Sequence, residues 1–227
     1  MNPNRKHWNA LHQKLNRALA AGDREKAIEM FLDQHAMVHS ANMSKMGHWS
    51  FEDEVLSNLS DDQIRKIPAG GEHSIAWIIF HLARIEDITM NMLVAGTPQL
   101  FTPNGWAKKM NVEVLHSANK MDDDSVAKLS AEINVKALKA YRVAVGRRTR
   151  QVVKKIRTEE YAKSVDPMRI QKVMEEGAVS KDAMEIIHYR ASRTIAGLLL
   201  MPPTRHCFLH LNEALKIRKK IEKEKRT

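Results

Sequence analysis

Apolar side chains recur every three or four residues along nearly the whole chain, and this spacing constrains the fold more than any other feature. It is clearest over residues 74–95, where the repeat would place one stripe along a single helix face. The stripe consists of Ile78, His81, Ile85, Ile88 and Met92. Only 9 of the 227 residues are glycine, and alternating valine-rich runs are absent, so we predict an all-α protein.

Capping and stop signals divide this pattern into separate helices. Asp23 and Thr204 have the chemistry of N-cap residues. Gly96 and the proline pair at 202–203 are typical of helix ends. The expected helices cover about residues 5–21, 23–46, 51–58, 74–95, 130–157, 181–200 and 204–227. Residues 99–125 contain a Pro-Asn-Gly turn signal and are expected to be irregular.

No internal repeat and no linker rich in Pro, Gly or Ser divides the chain convincingly. We therefore expect one helical bundle domain over residues 23–227, preceded by an N-terminal helical extension over residues 1–22. Within the bundle domain, residues 158–181 are predicted to form a loop or short-helix insertion.

The charge balance of the chain favours an anionic partner. Lys and Arg number 37 against 27 Asp and Glu, a formal net charge of +10. Between residues 134 and 158 the helix carries cations and no acid, and such a face could bind phosphate backbones. These cations are Lys136, Lys139, Arg142, Arg147, Arg148, Arg150, Lys154, Lys155 and Arg157. A solvated face is the commoner role of such a run, so nucleic-acid binding is an alternative that we do not favour.

Targeting and redox signals are missing from the sequence. No run of about 18 apolar residues could span a membrane, and the N-terminal residues lack the apolar core of a secretory signal. A single cysteine, Cys207, excludes an internal disulfide framework. We expect a cytoplasmic protein with no membrane partner.

Two histidines near the C-terminus are spaced to bind one metal ion. His206 and His210 lie one helical turn apart on the same face, where both imidazoles could reach a divalent cation. Helix bundles build metal sites from inward-pointing residues on facing helices, so His81 is the expected third ligand. Three histidines would leave a coordination position open, which is typical of catalytic sites. The alternative is that His206 and His210 only cap and pack.

Other residues are candidates for roles near such a site. His35 and His39 repeat the same spacing and could be the ligands, additional ligands or a buried polar patch; of the two, His39 is the better acid/base candidate. Glu213, like Glu86, could orient a ligand imidazole, and Arg205 could hold an anionic substrate. Cys207 would point away from His206 and is expected to be a small buried residue.

Two segments of the sequence resemble the DinB-like superfamily. Over residues 72–87, a pattern of Trp, His-Leu and Glu is matched by Trp77, His81, Leu82 and Glu86. The terminal His206-x-x-x-His210 resembles the closing helix of that family. The family usually continues with Arg-Gly-Gln, whereas this chain has Leu-Asn-Glu, so that Glu213 replaces an amide with an acid. The resemblance covers roughly residues 23–220, without the insertion.

The resemblance implies a four-helix bundle with long crossovers, to which this chain adds an N-terminal helix. It also implies a divalent metal, zinc or nickel, at the three histidines, and homodimers are common in the family. Many relatives are transferases or isomerases that use a low-molecular-weight thiol such as bacillithiol or mycothiol, so we expect a thiol S-transferase, isomerase or hydrolase-like enzyme acting on a small molecule. The alternatives are a metal or small-ligand sensor without turnover and a basic nucleic-acid-associated protein.

Overall fold

A computed structural model describes residues 2–225 of the chain. Met1 of the predicted extension and Arg226 and Thr227 of the predicted last helix lie outside the described residues. The first helices are α1 (Pro3–Ala20), α2 (Arg24–Ala36), α3 (Ala41–Ser44), α4 (Phe51–Leu56), α5 (Asp61–Arg65), α6 (Ile75–Asp87) and α7 (Trp106–Met110). The remaining helices are α8 (Asp123–Glu132), α9 (Val135–Lys155), α10 (Pro167–Glu175), α11 (Met184–Ala191), α12 (Ile195–Leu200) and α13 (Cys207–Glu224). No strand occurs among the described residues, which confirms the all-α class.

The helix α6 lies at the centre of the bundle. It packs against α9 on one side and α13 on another, while α2 packs against α9. All of its residues, Ile75–Asp87, are buried, although the sequence pattern predicted a single buried stripe. A helix buried on every side must satisfy each polar group internally. Arg84 meets most of this demand by donating from its two terminal nitrogens to Gln99, to the Tyr141 hydroxyl and to the Leu115 carbonyl, while its Nε has no partner among residues 2–225.

Both ends of the central helix match the sequence signals. The Ser74 hydroxyl accepts a hydrogen bond from the Trp77 backbone N–H at 3.0 Å and caps the N-terminus. Beyond Asp87 the chain continues as a π-helical segment, Ile88–Ala95, which ends at Gly96. Gly96 has a φ of +66°, and a Cβ there would lie 2.8 Å from the Arg169 guanidinium. Glycine therefore serves both the left-handed turn and the close approach of Arg169.

The predicted helix over residues 23–46 is wrong in its second half. Asp23 caps α2 as expected, but α2 ends at Ala36, and α3 begins only at Ala41. The carbonyls that would continue α2 are used by groups elsewhere in the fold. The Met37 carbonyl accepts from the Phe51 N–H at 2.8 Å, and the His39 carbonyl accepts from Ser50 Oγ at 2.7 Å. These tertiary bonds override the helical periodicity.

The predicted helix over residues 130–157 begins too early. Asn134 caps α9 through its side chain, and residues 130–132 belong to the end of α8. Residues 99–125, expected to be irregular, hold α7 and the beginning of α8. Over residues 181–200 the predicted single helix is two helices, because Thr194 breaks the run and caps α12.

The prolines near residue 202 do not end the helical path. Pro202 and Pro203 lie in a second π-helical segment, Met201–His206, which joins α12 to α13. Thr204, the predicted N-cap of the last helix, instead donates its hydroxyl hydrogen to the Leu199 carbonyl at 3.0 Å. The wider π turn accommodates both imino residues, so this stretch remains helical and carries His206 into position.

The N-terminal helix packs closely on the rest of the molecule. The Trp8 ring is fully buried, stacks on Phe208 of α13 at 4.1 Å and donates to the Gln34 carbonyl of α2 at 3.2 Å. Residues 158–181 contain a short 3-10 turn, the helix α10 and connecting loops, and α10 packs against the segment Ile88–Ala95.

Candidate metal centre

Three imidazoles from separate parts of the bundle converge at one point. His81 comes from the centre of α6, His206 from the end of the segment Met201–His206, and His210 from the first turn of α13. Their nearest ring nitrogens all lie within 4.8 Å of one another, and Nε2 of His81 is 3.3 Å from Nε2 of His206. His81 is buried, whereas His206 and His210 are partly exposed. The structure therefore brings together the three histidines that the sequence proposed as ligands.

Hydrogen bonds on the far side of two rings set their tautomers. Nδ1 of His81 lies 2.7 Å from the Ser117 carbonyl, which can only accept, so this nitrogen carries the hydrogen. Nδ1 of His210 lies 2.8 Å from Glu213. Hydrogen bonds from His210 and His73 hold the pKa of Glu213 at about 2, so its carboxylate is ionised. In both rings Nδ1 is therefore held by a protein acceptor and Nε2 is the nitrogen left to face the centre, as in histidines that bind metals.

The position of the third imidazole, His206, suits metal ligation better than a hydrogen bond to His81. Two nitrogens bound to one tetrahedral zinc ion at about 2.0–2.1 Å lie about 3.3–3.4 Å apart, and the Nε2 atoms of His81 and His206 are 3.3 Å apart. Without an ion, His206 would have to donate its Nε2–H to His81. Its buried Nδ1 has no hydrogen-bond partner among the described residues. The three residues thus suit a divalent cation that prefers imidazole, such as zinc or nickel.

Burial keeps two of these imidazoles, His81 and His206, neutral. Desolvation, together with the neighbouring His210, lowers the pKa of His81 to about 3, and desolvation also holds the pKa of His206 well below its usual value. Neutral imidazole is the ligating form, so the rings are ready to bind a cation without first losing a proton.

Aromatic rings wall the centre on the α6 side. The Trp77 ring stacks on His81 with centroids 5.1 Å apart and planes 6° from parallel, and His73 stacks on Trp77 at 3.8 Å. His73 also lies 3.6 Å from Glu213 and so links the wall to the carboxylate that orients His210. The sequence reasoning assigned His73 no role. Its spacing of four and eight residues from Trp77 and His81 is the signal that could have found it.

A small cavity opens beside the centre. It has a volume of about 200 Å³, and His206 forms part of its wall. Ile85, Leu198 and Met201 contribute apolar surface, and Arg190 contributes a buried guanidinium. A ligand in this cavity would lie next to the three histidines.

A second group of titratable residues is completely buried between α2, α6 and α9. Glu86 accepts hydrogen bonds from Nε2 of His35 at 2.8 Å and Nε2 of His39 at 2.9 Å. The guanidinium of Arg142 lies 2.7 Å from the same carboxylate and 3.2 Å from Glu52. The side chains of His35, His39 and Glu86 are close enough together to hold a metal ion as well. Because Arg142 already supplies a cation to Glu86, we interpret this cluster as an ion-pair network.

The protonation states in this second cluster follow from burial and pairing. Although burial alone would raise it, His39, His35 and Arg142 hold the pKa of Glu86 well below its usual value. Desolvation and Arg142 lower the pKa of His39 to about 3. His39, the acid/base candidate from the sequence, therefore serves as a neutral donor to Glu86 and does not line the cavity beside His206.

A comparison with protein families decides what kind of protein carries this site. A model of the DinB superfamily matches residues 48–201, more than half of the chain. The chain belongs to the DinB superfamily. The matched span includes His81 but ends before His206 and His210, so the candidacy of those two residues rests on the geometry of this DinB protein. A comparison with curated proteins finds no match.

Of the remaining sequence candidates, Arg205 and Glu86 have partners outside the centre of this DinB protein. Arg205 donates to Asn9 at 2.7 Å and lies over the Trp8 ring at 4.9 Å, so it joins the segment Met201–His206 to α1. Glu86, five residues after His81, pairs with the second cluster and does not orient His81. Glu213 is placed where the sequence suggested, on His210.

Cys207 has no reactive environment in this DinB protein. Its thiol is fully buried, 3.3 Å from the Pro202 carbonyl and 3.3 Å from Arg142. Burial raises the pKa of the Cys207 thiol to about 12, so it is protonated at neutral pH. As expected from its position in the helix, it faces away from the three histidines.

The basic helix is less available to an outside anion than its sequence suggests. Arg142 is buried, Arg147 donates to the Asn42 and Met43 carbonyls, and Arg150 donates to the Leu32 carbonyl. Arg148 is bonded to Asn91. These arginines fasten α9 to its neighbours in the DinB bundle.

No helix among residues 2–225 has the length and apolarity needed to cross a membrane.

Proposed function

We propose that this DinB-superfamily protein is a metal-dependent enzyme that binds a divalent ion, zinc or nickel, through His81, His206 and His210. The observation that carries the proposal is the convergence of the three ring nitrogens, two of them with tautomers set by acceptors on their far side. When bound, such an ion would act as a Lewis acid that lowers the pKa of a thiol or water and makes a nucleophile available at neutral pH.

The protein contributes orientation and charge. The Ser117 carbonyl and the Trp77 ring hold His81 in one rotamer, so that its Nε2 faces the centre. Glu213 remains ionised and retains the hydrogen on Nδ1 of His210. Because Glu213 neutralises part of the charge of a bound cation, it acts as a positioning residue for the centre.

We further propose that the nucleophile is an external low-molecular-weight thiol, such as bacillithiol or mycothiol, in an S-transferase or isomerase reaction on a small molecule. Cys207 supports an external source, because the chain's own thiol is buried, protonated and turned away from the histidines. The cavity of about 200 Å³ beside His206 supports a small substrate. The homodimeric state and the cytoplasmic location stay predictions from the sequence.

Metal analysis tests the first part of this proposal. Protein purified without chelators should contain about one zinc or nickel ion per chain by mass spectrometry of metals, and His206→Ala should lose it. His7→Ala removes an exposed histidine on α1 and should retain the ion. A protein that retains no ion, and whose melting temperature is unchanged by added zinc and nickel, would contradict the proposal.

A thiol-transfer assay tests the second part. With bacillithiol and monochlorobimane, the zinc- or nickel-loaded wild type should form the fluorescent conjugate faster than the chelator-treated protein, and His206→Ala should abolish the difference. Equal rates for loaded and metal-free protein would refute thiol transfer and leave metal binding untouched.

A further inference from the structure

The guanidinium of Arg190 is a buried cation without a counter-ion. Arg190 lies on α11 and is only 7% exposed. Its Nη1 atom is fully buried and has no hydrogen-bond partner, and no carboxylate of residues 2–225 forms an ion pair with it. Native proteins rarely retain such a group, since a buried charge is costly unless it is paired. Desolvation lowers the pKa of Arg190 to about 10, so it is still charged at neutral pH.

Arg190 lines the cavity that His206 also lines. The other arginine of this cavity, Arg193, is exposed to solvent, and its guanidinium lies over the Tyr189 ring at 4.5 Å and donates to the Tyr189 hydroxyl. Asn119 also lines the wall, and none of the residues 2–225 contributes a carboxylate to it. The cavity is therefore electropositive, and Arg190 is its buried cation.

Apolar side chains form most of the remaining wall. They are Ile85, Ile186, Leu198, Met201 and Pro202. A ligand that matches this wall has an apolar body and one anionic end. A carboxylate suits a single arginine, whose planar fork binds it through two parallel hydrogen bonds. A phosphate group would need more hydrogen-bond donors than the buried Arg190 guanidinium provides.

We propose that the cavity beside His206 binds a small organic carboxylate, with its carboxylate on the Arg190 guanidinium and its apolar body against the wall formed by Ile85 and Leu198. Binding of a carboxylate at Arg190 does not require the proposed function. Only the further step, that this carboxylate is the substrate, rests on it. Its other end would then face the three histidines. Arg190 is a binding residue in this assignment, and the histidines hold the metal.

The test uses metal-free protein, so that a carboxylate cannot bind by ligating an ion. After chelator dialysis, hexanoate and its uncharged analogue hexanamide are titrated by calorimetry or ligand-observed NMR. Wild type should bind hexanoate at least tenfold more tightly than hexanamide, because a hydrogen-bonded charge pair contributes between about tenfold and a hundredfold. Equal affinity for the two probes, or no binding of either, overturns the proposal without any variant.

Two variants separate ligand binding from a structural role. Arg190→Met should abolish the preference for hexanoate and should melt above wild type in the absence of ligand, because it removes an unpaired buried charge. Arg17→Gln removes an exposed arginine of α1 and should change neither property. If Arg190→Met unfolds or melts below wild type, the guanidinium is a structural group and the proposal fails.

Metal content keeps this result distinct from the proposed function. Arg190→Met should still bind zinc as wild type does, since it alters no ligand. If wild type binds zinc but shows no preference for hexanoate, the carboxylate site alone is refuted. If wild type prefers hexanoate but binds no metal, the metal-dependent enzyme alone is refuted.

Discussion

Gly146 in the middle of α9 offers a test of how tightly the buried histidine cluster is packed. A Cβ at this position would lie 2.8 Å from Nδ1 of His39, 2.9 Å from its Cε1 and 2.9 Å from Cγ of Met43. The His39 ring cannot move aside without breaking its bond to Glu86 at 2.9 Å. Overpacking against a fixed group costs up to about 3 kcal/mol, and alanine returns about 1 kcal/mol of helix propensity. Gly146→Ala should therefore destabilise the protein by about 2 kcal/mol.

Gly197 in α12 provides the matched control. There a Cβ would meet its nearest neighbours, Cβ of Arg193 and Oγ1 of Thr194, at 3.5 Å, which is ordinary contact. Gly197→Ala should stabilise the protein by about 0.5–1 kcal/mol through helix propensity alone. Urea unfolding measures both changes, and Gly146→Ala should also lower the melting temperature by about 4–8 °C. Gly146→Ala as stable as wild type would refute the close packing of His39.

Three further predictions concern the centre, the buried cluster and the N-terminal helix. Glu213→Gln should weaken zinc binding by about tenfold to a hundredfold in a chelator competition, because it removes the anion that orients His210; unchanged affinity would contradict this role. The pKa of His39 is depressed from 6.5 to about 3, so its neutral form stabilises the fold fully above pH about 6.5. In urea titrations of metal-free protein, His39 should contribute about 1.4 kcal/mol per pH unit to a fall in stability between about pH 6.5 and 3. The buried His81 and His206, whose pKa values are also lowered, should steepen that fall, and a flat profile would oppose the prediction. Trp8→Ala should lower the free energy of unfolding by about 3–5 kcal/mol in the same assay, because the Trp8 ring is fully buried against Phe208. An unchanged free energy of unfolding would show that α1 is only loosely attached.

The periodicity of α6 was enough to place His81 in the interior of the bundle. Its stripe located His81 on an inward face, and the i, i+4 spacing placed His206 and His210 on another. Both inferences use local geometry, which a helix imposes whatever its surroundings. The N-cap at Ser74 and the stop at Gly96 are local in the same sense.

The errors arose where distant groups compete with local preference. The end of α2 depends on donors from Phe51 and Ser50, and the pairing of His35 and His39 depends on Glu86, far along the chain. Arg190 was missed because the sequence does not distinguish a buried arginine from the many exposed ones. Only the fold reveals that its charge faces a cavity without a carboxylate.

The central claim is that His81, His206 and His210 bind one divalent ion. A crystal of the zinc-loaded protein with anomalous diffraction recorded at the zinc edge tests it most directly. If the three histidines bind one zinc ion, we expect one anomalous peak about 2.0–2.1 Å from a ring nitrogen of each of them. A peak at His35, His39 and Glu86 instead, or no peak at the three histidines, would contradict it.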